Sequence, residues 1–107
     1  MPTPKRRNDD VAQLKPFRDA NKYAINTDNG RLYVVYSYGP HFPMFVFDRA
    51  FGQWYANEDR YSATTSKHIG QCYPHMVRAD EFCYASTKHL IAMIDNLTQD
   101  RLEDVPC

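Results

Sequence analysis

The residues best placed to do chemistry lie in one run, "YSATTSKHIGQCYPH", Tyr61 to His75, which holds four serine or threonine hydroxyls, a lysine, two histidines and a cysteine. His68, Cys72 and His75 have the spacing H-x3-C-x2-H, with Cys83 eight residues further on. Zinc takes four such ligands, but structural zinc sites announce themselves with paired donors such as C-x2-C, and here the pairs are interrupted by Gly70 and by Tyr73-Pro74. No metal is assigned. A reactive cysteine needs a cation or a helix N-terminus to hold its thiolate, and neither Cys72 nor Cys83 carries such a signature, so both are expected to be buried structural thiols. His41, His68, His75 and His89 titrate near neutrality and suit acid–base work of the kind a small nuclease performs. Four scattered histidines form no motif, and surface exposure explains His89, which falls in the first turn of a predicted helix. No catalytic residue is assigned.

Anion binding is the better functional expectation for "TTSKH". If Thr64, Thr65 or Ser66 caps a short helix, the free backbone N–H groups, the hydroxyls, Lys67 and His68 gather at one helix start, where a phosphate or carboxylate would be stabilised. Arg60 and Tyr61 lead into this loop, and Tyr38 and His41 from an earlier turn complete the predicted binding surface. The plainer alternative is that Ser and Thr cap the turn locally and Lys67 is solvated. The chain has neither a Walker nor a dinucleotide glycine pattern, so no nucleotide cradle and no cofactor are indicated.

Aromatic residues are the second unusual feature. Eight Tyr, six Phe and one Trp make up 14% of the chain, and Tyr36, Tyr38, Phe42, Phe45, Phe47, Trp54 and Tyr55 lie on or beside consecutive predicted strands. Exposed rings of this kind stack on bases, with Arg31, Arg49 and Arg60 at strand ends supplying charge. Most must instead fill a core, leaving two or three for a base platform or a protein interface.

These residues need elements to hold them. "YAINTDNGRLYVVYSY" sets two β-rich runs around Asp28, Asn29 and Gly30, residues that accept the positive φ of tight turns, and predicts a hairpin. Its second strand is apolar on both faces, as a central strand is. "GPHFP" interrupts the ladder, "MFVFD" resumes it, and "RAFG" turns it into "QWYAN". "EFCYA" adds a fifth strand by its aromatic content. "STKHLIAMIDNL" opens with Ser86 as N-cap and sets Leu90, Ile91, Ile94 and Leu97 on one helical face. The expected fold is α+β, an antiparallel sheet of four to five strands with a C-terminal helix packed on one face. Residues 1–10, "MPTPKRRNDD", have almost nothing apolar and are expected to be a flexible basic arm, with 11–107 forming a single domain.

Thirteen basic and thirteen acidic residues cancel, which disfavours a generic polyanion binder held by charge alone. Three cysteines without framework spacing, and no early apolar run long enough for a secretory signal, predict free thiols in the cytoplasm. No segment has the length of apolar sequence that a membrane span requires. A Tyr-rich edge such as "VVYSY" could pair with a second copy and give a homodimer.

The block "YSYGPHFPMFVFD" followed by "QWYANEDRYSATTSKHIGQ" resembles small proteins of tailed bacteriophages and bacterial mobile elements. It implies a setting, the host bacterial cytoplasm, and carries no activity. The expected function is a non-enzymatic accessory protein that binds nucleic acid or a protein partner, host or phage, through an aromatic sheet edge and the Tyr61–His68 loop. The alternative is an anti-CRISPR-like inhibitor of a bacterial host or defence complex acting by protein contact, with a small histidine- or metal-dependent nuclease ranked last.

Overall fold

Asp28, Asn29 and Gly30 do close a hairpin. Gly30 takes φ 75°, a left-handed angle that L side chains avoid, and the turn is tied by Gly30 N–H to Thr27 O at 2.8 Å and Thr27 N–H to Leu32 O at 2.9 Å. The computed structural model that shows this describes residues 6–59 and 63–98, with the backbone alone for residues 63–66 and 98. The hairpin joins β2 (Lys22–Asn26) to β3 (Leu32–Ser37). β4 (Pro43–Asp48) and β5 (Gln53–Asn57) form the second predicted hairpin. Between β3 and β4 the register shifts after Val35, so that Tyr36 lies opposite Pro43 rather than Met44. A short β1 (Phe17–Arg18) and a late β6 (Phe82–Ala85) complete six strands in the order β1-β2-β3-β4-β5-β6.

Two features correct the expected architecture. Among the described residues the sheet has six strands rather than four to five, and it is mixed: β6 lies parallel to β5. A parallel neighbour cannot be reached by a tight turn and needs a crossover, which here is α2 (Ala63–Cys72). The sheet is also covered on both faces. The C-terminal helix α3 (Thr87–Thr98) packs Leu90, Met93 and Leu97 over Leu32, Val34, Val46 and Tyr55; burying each of those helix side chains contributes about 2 kcal/mol. On the opposite face α2 and α1 (Asn8–Ala12) place Cys72 and Val11 over Tyr33, Val35, Phe45 and Phe82. Every residue of β3 is buried as a result. The "VVYSY" strand is therefore interior, with β2 and β4 on its two sides, and cannot offer an edge to a second copy.

Helix α3 starts as its sequence requires, with Ser86 Oγ accepting from His89 N–H at 3.2 Å. Asp59 adds a second cap by accepting from Thr87 N–H at 2.8 Å, and this bond holds its carboxyl below the usual range. The far end of α2 is closed from a distance. Asn8 donates to Gly70 O at 2.9 Å and Tyr73 O at 2.8 Å, satisfying carbonyls that a helix end leaves without intrahelical partners.

Residues 6–10 thus differ from the expected arm: Asn8 is buried in α1, and Arg7 N–H donates to Gln71 O at 2.8 Å. Residues 1–5, Lys5 among them, lie outside the described residues. The expectation of free thiols holds for Cys72, which is buried, and fails for Cys83, which is disulfide-bonded. Among the described residues no helix is long and apolar enough to cross a membrane.

Candidate functional site

Lys22 and Ser37 sit directly opposite each other on β2 and β3, and both point to the α2 face of the sheet, as Ala24 and Val35 do. Lys22 is only 3% exposed. A buried ammonium requires a counter-charge, and Asp19, in the turn before β2, supplies it at 3.2 Å. Asp19 is in turn gripped by the Arg7 guanidinium through bonds of 2.6 and 3.1 Å. The Arg7 bonds, then Lys22, hold the Asp19 carboxyl below its ordinary range, and the same contact raises the Arg7 guanidinium. Arg7 also stacks on Phe17, 4.9 Å from the ring centre. One line of charge, Arg7–Asp19–Lys22, therefore pins α1 to the start of the sheet.

His68 enters this cluster from α2. Its Nδ1 lies 2.7 Å from Ser37 Oγ, and it is 2% exposed. Burial pushes its pKa down, and the nearby cations Lys22 and Lys67 push the same way, so the imidazole is neutral at pH 7. A serine bonded to a neutral histidine is the pairing used by hydroxyl nucleophiles. The backbone N–H groups of residues 37–39 are not free for the second requirement, stabilising an oxyanion. The amide of Ser37 is committed to Phe42 O, that of Tyr38 to Asn21 O and that of Gly39 to Ser37 O. The pair ties the end of β3 to the middle of α2.

Above it stands Tyr38, at φ 68° and 63% exposed, its ring centre 5.2 Å from that of His68. A tyrosine in the left-handed region is an outlier, held there at a cost of about 1–2 kcal/mol. The tight turn that follows, with Gly39 N–H on Ser37 O at 2.8 Å and Phe42 N–H on Gly39 O at 3.3 Å, fixes that angle. His41 in the same turn and Lys67 on α2 are both exposed.

The structure thus joins two of the expected binding residues directly, Tyr38 and His68, which stand thirty positions apart in sequence. The expected loop over Tyr61–His68 is a helix from Ala63 onward. Thr64, Thr65 and Ser66 consequently fall inside its first turns and do not cap it, and His68 is buried rather than presented to an anion. Arg60 and Tyr61 lie outside the described residues. Gln71 and Cys72 form the last turn of α2. Among the described residues no group of three His, Cys, Asp or Glu side chains could hold a metal ion; His75 is exposed beyond the helix that buries His68 and Cys72.

Sequence reading missed Asp19, Lys22 and Ser37. The available signal was Lys22, a charge at an inward position of a strand whose neighbour Ala24 faces the core. Gln71 is a further surprise: its Oε1 is buried without a hydrogen-bond partner among the described residues. Of the aromatic platform, Tyr36, Phe42, Phe45 and Tyr55 are buried and Phe47 and Trp54 half-buried, so Tyr38 is the one ring of that set that is exposed.

No protein-family model matches the chain, and no curated protein or solved structure matches it.

Proposed function

We propose that this is a non-enzymatic binding module that takes single-stranded nucleic acid against the turn carrying Tyr38 and His41, beside Lys67 of α2. The observation that carries this reading is Tyr38, an exposed ring held at a strained backbone angle over His68. The turn and the His68 ring hold it in one orientation, and an exposed ring so fixed is a platform for a base, worth about 1–3 kcal/mol per stacked base. Lys67 and the edge of His41 supply charge and hydrogen bonding for a backbone. The phage-like wording of the block around Tyr38 fits an accessory protein acting in a bacterial host. The test is binding of labelled single-stranded and duplex nucleic acid by the full chain at two salt concentrations. Single strands are expected to bind with an affinity that falls as salt rises, and Tyr38→Ala to weaken them about tenfold. No binding at low salt would reject the reading.

A second reading, inhibition of a host or defence complex by protein contact, is favoured by β6. Among the described residues it has a strand neighbour on one side only, and Tyr84 on it is 51% exposed. Capture of a host protein that is lost on Tyr84→Lys and kept on Tyr38→Ala would select it.

A further inference from the structure

Cys72 and Cys83 stand in different states. Cys72 is free and buried on the α2 face of the sheet, whereas Cys83 of β6 is disulfide-bonded. The sequence holds one further cysteine, Cys107, which lies outside the described residues. Within a single chain Cys107 is the remaining partner. Cys83 packs on the α3 face, against the cluster that contains Tyr55 and Leu90, so the sheet itself stands between Cys83 and Cys72.

Helix α3 ends where a returning segment has to start. Strands β3, β5 and β6 run in one direction, because β4 is antiparallel to both β3 and β5 while β6 is parallel to β5. β6 therefore begins at the same end of the sheet as β3. That is also the end at which α3 stops, since Asn29, in the turn before β3, donates to Leu97 O at 2.6 Å. From β3 to β6 is three strand spacings, about 14 Å. The nine residues after Thr98 can span about 30 Å, which reaches Cys83 with slack. Cys83 also lines a hollow of about 260 Å³, together with Glu58, Tyr84, Ser86 and His89, beside the strand that ends the sheet among the described residues.

We propose that Cys83 and Cys107 of one chain are joined, and that residues 99–107 form a redox-labile strap across this hollow and β6. The bond forms by exchange with a small-molecule disulfide such as oxidised glutathione: each cysteine gives up one proton, the pair gives up two electrons, and the glutathione leaves as two thiols. Two equivalents of reduced glutathione reverse the exchange and release the segment. Cys83 is half-buried and Cys72 fully buried, so the exchange takes place at Cys83. The strap does not depend on what the Tyr38 turn or β6 binds.

The test is tryptic peptide mapping, without reductant, of the full chain equilibrated with oxidised glutathione, alongside amide hydrogen exchange before and after reduction. The expected product is peptide 79–88 joined to peptide 102–107 in a monomer two hydrogens lighter than the reduced chain. Exchange at Tyr84 and Ser86 is expected to quicken at least about tenfold on reduction, and the melting temperature to fall by about 10 °C, as opening a loop of this length implies. Cys107→Ser should match the reduced chain and no longer respond to reductant, and Cys72→Ser should keep the link. A link from Cys83 to Cys72, a link between two chains, or unlinked peptides after oxidation would overturn the pairing. A linked monomer in which reduction leaves exchange at β6 unchanged would overturn the strap.

Discussion

Ser37 Oγ lies 2.7 Å from Nδ1 of His68, joining the end of a central strand to the middle of a crossover helix thirty-one positions away. The bond matters because the histidine is neutral. Its neighbours are Ser37 and Lys22 from the sheet, the Tyr38 ring above, and Lys67 on its own helix, and two of these four carry positive charge.

Protonating His68 adds a third cation beside Lys22 and Lys67, so the chain should lose stability in mild acid. The folded-state pKa lies below the unfolded value of about 6.5, so between the two the unfolded chain binds more protons. The contribution is fully present above pH 6.5 and is lost as the pH falls through the folded pKa, with a slope of at most about 1.4 kcal/mol per pH unit. Urea unfolding at half-unit steps from pH 8 to 4.5 should show this slope, and His68→Gln should flatten it in that window whatever its effect at pH 8.

The strain at Tyr38 should separate stability from binding. Tyr38→Ala removes the ring but keeps a side chain at φ 68°; Tyr38→Gly removes both ring and strain. The glycine variant should be the more stable of the two by about 1 kcal/mol, because left-handed backbone costs glycine little. Both should bind single strands equally poorly, as read by thermal melts and by the same binding titration.

Arg31 holds Asp48 with two bonds of 3.0 Å, and Asp48 is 1% exposed. Arg31→Ala leaves that carboxylate buried without its counter-charge, which costs about 3–5 kcal/mol. Urea denaturation should register the loss, and the double variant Arg31→Ala, Asp48→Ala should recover part of it.

Cys72 is fully buried, and burial pushes its thiol up to about 12. At pH 8 it should react with iodoacetamide at least about 100-fold more slowly in the native chain than in the denatured one, since the thiolate is the reactive form. Peptide-mapped mass spectrometry at timed quenches gives both rates.

What was legible in the sequence was what is local. Asp28-Asn29-Gly30 specify their own turn, and Ser86 caps the helix that begins one residue after it. The period of Leu90, Ile94 and Leu97 needs no partner to be recognised as a helical face. The unbroken apolar run of β3 marked it as a central strand, although the helices over its second face did not show in the sequence.

The site followed the opposite rule. Tyr38 and His68 could each be picked out by type, but their contact exists only because α2 crosses the sheet to reach β6, and no short-range pattern distinguishes that parallel return from another hairpin. The same crossover placed residues 64–66 in the first turn of a helix and sent His68 inward. Asn8 looks like part of a polar arm until Gly70 and Tyr73 supply carbonyls for its amide.

The amino-acid sequence by itself determined the hairpins, the capped C-terminal helix and the surplus of tyrosine, because these depend on backbone preferences and side-chain periodicity within a few residues. Only the tertiary structure decided which tyrosines are exposed, which charges are buried in pairs, and that the Gln71 side-chain oxygen is buried without a partner among the described residues. Those depend on which surfaces meet across long separations in the chain, where the free energy comes from desolvation and pairing rather than from any residue's own propensity.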